Sequence, residues 1–429
     1  MYISIVTLSG KLDLVRWKYD TRLEQCGGSV VVHTFHTLLP TPTLTYGCER
    51  EQGLKEELDG VVNEVSDSQL QSESWWYTRE NRRLRRTEAK KKMSIAGIDP
   101  GCKILCVGHV CIDMISICTS YPEEDSQVGT TTKINRCLDQ RWQRGGNAAN
   151  NSTVLGLLGA KPAFFGTIAD SHEKRFLLED FAKFDVNTDY AVLHEGCDCP
   201  ASCVILSVAT GSRTIIHANK NLPEVSMEDF DKIDLAAFKW IHFEGRNVSN
   251  VTKMIERIRQ YNRSHQDCGC ITISVEIEKA KPELESLIPL PDVLFVSKDY
   301  AMFKGYSSMA ETVKEIQAQA IPGSLVICPW GEDGASASNS VGKLVHSPAF
   351  PPLHVVDTLG AGDTFNAATI FSLSNGHTPK ESITFGCRIA GLKVGVTGWE
   401  PLRKMAKDGT LCPIVENSSE RSGVVIKAT

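Results

Sequence analysis

The sequence predicts an α/β fold with a doubly wound, mostly parallel sheet. Continuous apolar runs such as Ile104-Leu-Cys-Val-Gly recur from residue 103 onward, and such runs are typical of strands buried on both faces. Stretches with helical spacing separate these runs, and strands that alternate with helices favour a parallel sheet covered by helices. The predicted strands lie near 104–108, 162–166, 240–243, 271–275, 293–296 and 325–328, and the predicted helices near 148–158, 173–184, 250–263 and 308–320.

Two segments, 113–141 and 199–222, do not follow this alternation of strands and helices. Their apolar and polar residues alternate, as in Cys203-Val-Ile-Leu-Ser-Val followed by Gly211-Ser-Arg-Thr-Ile-Ile. Turn residues at 210–212 between these two runs predict a hairpin. We expect the two segments to form a small antiparallel sheet, or lid, over one edge of the main domain.

The first hundred residues differ in character from the rest of the 429-residue chain. They contain a Thr- and Pro-rich stretch, an acidic stretch and then a basic run at 79–92, without a sustained strand or helix period. The basic run could be a nuclear-localisation or nucleic-acid patch, but a solvated tail is the favoured interpretation. We expect a largely disordered extension over 1–100, a folded domain over 103–402 and a C-terminal tail over 403–429.

Composition and charge exclude several classes of protein. The formal net charge of −6 argues against a general nucleic-acid binder. No apolar run approaches the roughly 18 residues that span a bilayer, and the N-terminus lacks the basic flank of a signal peptide, so we expect a cytoplasmic protein. The 15 cysteines are odd in number and dispersed, which favours buried free thiols. Cys197 and Cys199 are closer than zinc ligands usually are, which argues against a structural zinc site.

The strongest chemical signal is Asp357-Thr-Leu-Gly-Ala-Gly-Asp363, which leads into an apolar helical stretch. Glycines before a helix expose N–H groups, and a helix N-terminus favours negative charge, so Gly360, Ala361 and Gly362 can form an anion hole. Asp363 adds a carboxylate that could act as a general base on a hydroxyl group during phosphoryl transfer. The alternative is a capped helix, with glycine for the turn and aspartate for the dipole.

A second signal is Arg141-Trp-Gln-Arg-Gly-Gly-Asn-Ala-Ala-Asn150, again at the start of a predicted helix. Asn147 and Asn150 are three residues apart and so share one helix face. Beside Gly146, their amides could bind the hydroxyl groups of a polyol, as could Asp113, which we place near the end of the first strand. The alternative is an asparagine-capped helix and an edge-strand aspartate.

A third, weaker signal is the turn Gly331-Glu-Asp-Gly334 after a predicted strand. Ligands of α/β sheets bind at the carboxyl ends of strands, so this turn could contact a nucleotide, although a tight hairpin turn is an equal alternative. The chain contains no P-loop and opens with no Gly-x-Gly-x-x-Gly motif, which argues against P-loop kinases and dinucleotide enzymes.

Together the two glycine-rich motifs resemble the two signatures of the ribokinase/PfkB sugar kinases, in the expected order and about 210 residues apart. Further stretches, including Tyr121-Pro-x-Glu-Asp-Ser, Phe238-Lys-Trp-Ile-His-Phe-Glu-Gly-Arg-Asn and Val296-Ser-Lys-Asp, are similar to the animal fructokinase branch of that family. The resemblance covers roughly 103 to 400. It implies a ribokinase-like fold, a small β-sheet lid and a homodimer through that lid.

The resemblance also implies an activity, the transfer of the γ-phosphoryl group of ATP to the 1-hydroxyl of D-fructose, with Mg²⁺ and, in relatives, K⁺. Asp363 would be the base that also contacts the sugar, beside the anion hole. The implied sugar ligands are Asp113, Gly146, Asn147 and Asn150, and the implied ATP ligands are Arg213, Gly331, Glu332, Asp333 and Gly334 together with Gly360, Ala361 and Gly362.

Two departures from the family pattern bear on this interpretation. Many relatives carry Asn-x-x-Glu, linked to the metal, where this chain has Ser297-Lys-Asp-Tyr300, so the metal ligands stay unknown at this point. The lid also carries an insertion, Gly129-Thr-Thr-Thr-Lys, which could alter a dimer. Alternative hypotheses are a kinase of this family for another sugar or a nucleoside, and a catalytically silent relative that binds sugar.

Overall fold

An eight-stranded sheet forms the centre of the protein. The structure, a computed structural model, describes residues 103–122, 137–210, 212–265, 270–338 and 342–411, and the backbone of four short N-terminal strands. In their order across the sheet, the strands are β18 (Leu344–Ser347), β17 (Ala335–Ser338), β16 (Leu325–Pro329), β15 (Val293–Val296), β14 (Thr272–Ile277), β13 (Trp240–Glu244), β5 (Lys103–Val107) and β8 (Lys161–Phe165). All neighbours are parallel except β16–β17 and β17–β18.

Helices cover both faces of this sheet, because successive side chains of a strand point to opposite faces. In β5, Ile104 and Cys106 belong to one apolar cluster, whereas Leu105 and Val107 belong to the other. The helices are α1 (Asn147–Leu157), α2 (Lys174–Lys183), α3 (Met227–Phe230), α4 (Val248–Ser264), α5 (Lys298–Phe303), α6 (Met309–Gln317), α7 (Ala361–Ser374), α8 (Pro379–Val394) and α9 (Glu400–Lys407). The predicted doubly wound α/β fold is thereby confirmed.

A second, smaller sheet has four strands. In their order across the sheet, they are β12 (Arg213–Ala218), β11 (Ala201–Ser207), β6 (Cys111–Cys118) and β7 (Cys137–Gly145). The small sheet is confirmed, but it is mixed rather than antiparallel, because the central pair β6–β11 is parallel. The pairs β6–β7 and β11–β12 are each antiparallel, and the two pairs join through β6 and β11. A two-stranded parallel pair, β9 (Thr167–Ala169) with β10 (Val192–His194), completes the strands of this region.

Structural elements near both ends of the chain bear on the predicted domain limits. Helix α9 and the buried Leu411 continue the fold beyond residue 402, where the sequence predicts the start of a tail. In the unit Met1–Lys91, β1 (Tyr2–Val6) pairs with β2 (Leu12–Arg16), and β3 (Leu23–Cys26) pairs with β4 (Ser29–Val32). These strands are not among the predicted elements. The basic run and most of 1–100 lie outside the described residues, so the disordered extension stays a prediction.

Two further observations concern the described part of the chain. Its cysteines are all free thiols, most of them buried, as the sequence analysis predicts. No helix described here is long and apolar enough to cross a membrane.

A chain that begins at Met93 is expected to unfold at the same temperature as the full chain, within about 2 °C. The reason is that every buried apolar side chain in the described residues lies between Ile104 and Leu411, and residues from Lys92 onward form one compact unit. Thermal unfolding followed by circular dichroism checks this expectation. A loss of the cooperative transition in the shortened chain would show that the extension belongs to the folded domain.

Candidate active site

A cavity of about 890 Å³ lies where the carboxyl ends of the parallel strands meet the small sheet. This is the edge of an α/β sheet at which ligands bind. Its wall contains the residues that the sequence predicts as sugar ligands, base and anion hole, together with Arg213 and Gly331: Asp113, Gly146, Asn147, Asn150, Arg213, Gly331, Gly360, Ala361, Gly362 and Asp363. The structure therefore brings together two motifs that are more than two hundred residues apart in the chain.

The loop before α7 is anchored by the buried carboxylate of Asp357. Its Oδ1 accepts a hydrogen bond from the Leu359 N–H at 3.0 Å, and its Oδ2 accepts one from the Gly398 N–H at 3.0 Å. The ammonium of Lys393, which is fully buried, donates to Asp357 Oδ2 at 3.1 Å and to the Asp357 carbonyl at 3.2 Å. Burial outweighs the attraction of Asp357 and lowers the pKa of Lys393. These contacts fix the course of the loop.

The start of α7 is open to the cavity. Gly360 has φ 76°, and a Cβ there would lie 2.8 Å from the Trp399 ring, so this position requires glycine. Gly362 has no such restriction, because a Cβ built on it meets nothing within 4 Å among the described atoms. No side chain caps the helix, and the first N–H groups of a helix lack intrahelical partners. This turn can therefore receive an anion.

Asp363 lies in the first turn of α7 and is held by the other motif. Asn150 Nδ2 donates to Asp363 Oδ2 at 2.7 Å. Burial, and then the negative charges of Glu276 and Glu278, raise the pKa of Asp363 well above its ordinary value. A carboxyl group with a raised pKa binds a proton readily, which is the property that a general base requires.

Two glutamates beside Asp363, Glu276 and Glu278, are not among the site residues predicted from the sequence. Glu276 is the fifth residue of β14 and is 2% exposed, and Glu278 follows the end of that strand. Asn147 Nδ2 donates to both carboxylates, at 2.7 Å for Glu276 Oε1. Asn366 Nδ2 donates to Glu276 Oε2 at 2.7 Å. A detectable signal existed, since one carboxylate interrupts the apolar strand β14 and a second one follows two residues later.

A third missed carboxylate, Glu244, ends β13 directly beside Glu276 in the sheet register. It accepts hydrogen bonds from the His109 N–H at 2.8 Å and from Arg246 Nη1 at 3.1 Å. Burial alone would raise the pKa of Glu244, but Arg246 and His109 bring it below its ordinary value. Glu244 and Arg246 thus form a charged pair in the cavity wall.

Asp113 lies in β6, the first strand of the small sheet, and not near the end of β5 as predicted. The reason is that β5 ends at Val107 and the chain then crosses into the small sheet. Asp113 is 7% exposed, and burial raises its pKa. A Cβ on Gly145 would lie 2.2 Å from Asp113 Oδ2, so this glycine makes room for the carboxylate.

Only some of the predicted nucleotide contacts line the cavity. Arg213 begins β12 and donates to Thr358 Oγ1 in the loop before α7. Gly331 lines the cavity, whereas Glu332, Asp333 and Gly334 are not among its lining residues. The Glu332 side chain is exposed and pairs with Lys298 at 3.6 Å.

Ser297-Lys-Asp-Tyr300 has a structural role at the start of α5. Ser297 Oγ accepts a hydrogen bond from the Tyr300 N–H at 3.0 Å and donates one to the Glu278 carbonyl at 2.8 Å. The Tyr300 side chain is fully buried. Glu276 and Glu278 are the carboxylates beside Asp363, whereas Asp299, the one carboxylate of this motif, lines the cavity with an exposed side chain.

Comparisons with known proteins agree with this geometry. The model of the pfkB family of carbohydrate kinases matches residues 102–403. The chain is 47% identical over 298 residues to ketohexokinase from Mus musculus, covering 70% of this chain and 98% of that protein. It is 25% identical to ribokinase from Bacillus subtilis, covering 62% of this chain and 86% of that protein.

Solved structures give the same fold. A putative ribokinase from Agrobacterium tumefaciens has a TM-score of 0.60 at 17% identity, with 72% of this chain and 97% of that chain covered. Ribokinase from Arabidopsis thaliana, complexed with ribose and ATP, has a TM-score of 0.57 at 19% identity, with 72% and 98% covered.

Proposed function

We propose, from the premise that this chain belongs to the pfkB family of carbohydrate kinases, that it transfers the γ-phosphoryl group of ATP to the 1-hydroxyl of D-fructose. The products are fructose 1-phosphate and ADP. The fructose assignment is supported by the 47% identity to mouse ketohexokinase. The observation that carries the proposal is the half-buried carboxylate of Asp363, held by Asn150 at the open N-terminus of α7.

Asp363 is the proposed base. It accepts the proton of the sugar hydroxyl as the oxygen attacks the γ-phosphorus, the bond from that phosphorus to the ADP oxygen breaks, and the proton then leaves Asp363 for solvent. Asn150, through its 2.7 Å hydrogen bond, holds the carboxylate in place. Positioning the two reactants and stabilising charge supply most of the rate enhancement in phosphoryl transfer.

Gly360, Ala361 and Gly362 are the proposed anion hole, because their backbone faces the cavity at a helix N-terminus. Arg213, already placed against Thr358 of the same loop, adds a positive charge on the ATP side. We retain Gly331, Glu332, Asp333 and Gly334 as proposed nucleotide contacts, with the strongest support for Gly331, which lines the cavity.

For the sugar, Asp113, Gly146, Asn147 and Asn150 are the proposed ligands. The Oδ1 atom of Asn150 is buried without a hydrogen-bond partner among the described residues. An unpaired buried acceptor of this kind is unfavourable, and a sugar hydroxyl would satisfy it. Asp113 can accept two hydroxyl groups on the opposite, small-sheet side.

Mg²⁺ bound to ATP fits the acidic side of the cavity, since carboxylate oxygens are its preferred ligands. Glu276 and Glu278 would hold it, and when bound the ion supplies charge neutralisation of the phosphates. K⁺ beside the loop before α7 stays a prediction. The ammonium of Lys393 already contacts the Asp357 carboxylate there. Turnover compared in K⁺ and in tetramethylammonium tests it.

The first test is ADP release by the purified protein with D-fructose, ribose, tagatose or adenosine, in Mg²⁺ and K⁺. Fastest turnover on fructose, with phosphate on C1 by NMR, is the expected result. A preference for another acceptor would favour the alternative, a kinase of the same family for a different sugar or nucleoside. No turnover on any acceptor would favour a silent sugar-binding relative.

Replacing Gly362 by alanine is expected to leave thermal stability unchanged while lowering turnover on the order of 10²-fold. The added methyl group meets no described protein atom within 4 Å, but it projects into the space assigned to the phosphates. Gly360→Ala is the contrasting variant, since its positive φ and the Trp399 ring make it destabilising. Normal turnover in Gly362→Ala would place the phosphates elsewhere.

The turnover number should fall as the pH decreases through the raised pKa of Asp363, because the protonated carboxyl group cannot accept the hydroxyl proton. Removing one negative neighbour, as in Glu278→Gln, lowers that pKa and moves the acidic limb of the profile to lower pH. Glu283→Gln, at an exposed carboxylate of the same cavity, is the control and should not move it. If the acidic limb of the pH profile does not move in Glu278→Gln, that limb does not reflect the titration of Asp363.

We extend the proposal to a homodimer that pairs the small sheets. Large apolar side chains on β7 and β12 are exposed, with Leu138 at 58%, Trp142 at 52% and Ile216 at 59%. Exposed apolar patches often mark protein interfaces. Light scattering of the wild type and of Trp142→Arg would test it. A cytoplasmic location stays a prediction.

A further inference from the structure

Two histidines and a cysteine meet on the small-sheet side of the cavity. His109 precedes β6, Cys111 begins it, and His217 is near the end of β12; all three line the cavity. One ring nitrogen of each histidine and the thiol sulfur lie within 4.8 Å of one another. From this grouping we infer a binding site for a thiophilic divalent transition metal ion such as Zn²⁺.

Strand register explains why these side chains come together. Asp113 on β6 is opposite Ser202 on β11, and Ser202 is opposite His217 on β12, so the three form a row across the sheet. Cys111 is two residues before Asp113 and therefore shares its face of the strand. Ser202 Oγ is 3.1 Å from His217 Nδ1 and 4.0 Å from Cys111 Sγ.

The donor atoms are of the kind that bind zinc. The half-buried His109 ring lies edge-on to the His217 ring, with the ring centroids 5.5 Å apart. Its Nε2 is buried and has no hydrogen-bond partner among the described residues. A neutral imidazole and a cysteine sulfur together favour zinc over magnesium or calcium.

The required rearrangement is small. In a tetrahedral zinc site, bond lengths of about 2.0 and 2.3 Å separate nitrogen and sulfur ligands by roughly 3.5 Å. The three donor atoms lie within 4.8 Å of one another here, and rotation of the exposed His217 side chain can bring its ring nitrogen to the shorter separation. On binding, the Cys111 thiol releases its proton to solvent and its sulfur bonds to the metal. Asp113 Oδ1, 3.7 Å from Cys111 Sγ, is available as a fourth ligand.

Occupation of this site would inhibit the enzyme by competing with sugar. This consequence rests on the proposed function, in which Asp113 binds sugar hydroxyl groups. A metal ion that engages Asp113 removes that ligand, so Zn²⁺ is expected to raise the KM for the sugar while the KM for ATP stays unchanged. Cys111 and His217 themselves have no role in the proposed transfer.

The direct test uses Co²⁺ as a spectroscopic probe on the full chain after treatment with a chelator. We expect one equivalent of Co²⁺ to give a thiolate-to-cobalt charge-transfer band that Zn²⁺ abolishes. Cys111→Val should lose the band, and His217→Leu should weaken Co²⁺ binding on the order of 10²-fold. The matched control is the double variant His172→Leu/Cys270→Val, whose two side chains are exposed and do not line the cavity.

The outcomes separate the two proposals. The same band in the wild type, Cys111→Val and His217→Leu, with all three folded by circular dichroism, would overturn the metal site, as would the absence of any band in the wild type. Co²⁺ binding lost only in the site variants supports it, whether or not any sugar is phosphorylated. Binding with inhibition that sugar does not relieve would keep the site and overturn its link to Asp113.

Discussion

The change of Asp363 to asparagine is expected to lower turnover by about 10²- to 10⁴-fold, the usual contribution of general-base catalysis. Asparagine retains the size of aspartate but cannot accept the hydroxyl proton. ATP binding should stay within a few-fold, because the anion hole consists of backbone groups at the start of α7. Steady-state kinetics measures the first quantity, and isothermal titration with a non-hydrolysable ATP analogue measures the second.

Asp299→Asn is the matched control for this change. Asp299 is an exposed carboxylate that lines the same cavity, so the substitution removes the same charge without touching the proposed base. We expect its turnover to stay within about threefold of wild type. Near-normal turnover in Asp363→Asn would remove the base assignment, and an equal loss in both variants would point to the overall charge of the cavity.

Lys393→Met is expected to lower the free energy of unfolding by about 3–5 kcal/mol, because it removes the cation in contact with the buried carboxylate of Asp357. Both partners are almost inaccessible, with side-chain exposures of 0% and 3%. The remaining cation, Arg141, is 3.8 Å from Asp357 Oδ2. Burial alone would raise the pKa of Asp357, but Lys393 and the backbone N–H groups of Gly398 and Leu359 bring it below its ordinary value. The stability that this carboxylate contributes is therefore present above its unfolded pKa and is lost as the pH falls through its lower folded pKa. Urea unfolding at neutral pH measures the loss.

Two further variants show whether the unpaired charge is the cause. Lys304→Met breaks a more exposed ion pair with Glu285, at 3.0 Å, and should cost less than about 1 kcal/mol. The double variant Asp357→Asn/Lys393→Met removes both charges and should recover part of the stability. If Lys393→Met is no more destabilising than Lys304→Met, the backbone N–H groups of Leu359 and Gly398 together with Arg141 suffice to hold Asp357.

The fold could be predicted because its strands carry a strong local signal. Strands buried on both faces must be apolar throughout, as Ile104 to Val107 and Val293 to Val296 are. The two glycine-rich motifs could be found for a similar reason, since Gly360 has a positive φ and Gly145 leaves room for Asp113. The 2.7 Å contact between Asn150 and Asp363 joins these motifs in space.

The rest of the site depends on register, which the local sequence does not specify. Glu244 and Glu276 are neighbours only because β13 and β14 pair in parallel at those residues. His217 reaches His109 and Cys111 only through the row of three strands in the small sheet. The parallel pairing of β6 with β11 was missed for the same reason, because two hairpins can meet in either direction.

The strand order also determines when each part of the molecule can form during synthesis. The small sheet consists of residues between 111 and 218. The second edge of β5 is covered only after β13, which ends at Glu244, has been synthesised. Until then the nascent chain carries an unpaired, apolar strand edge, which is prone to pair with other chains. Asp363 emerges later still, so the cavity that it lines can assemble only when most of the polypeptide has left the ribosome.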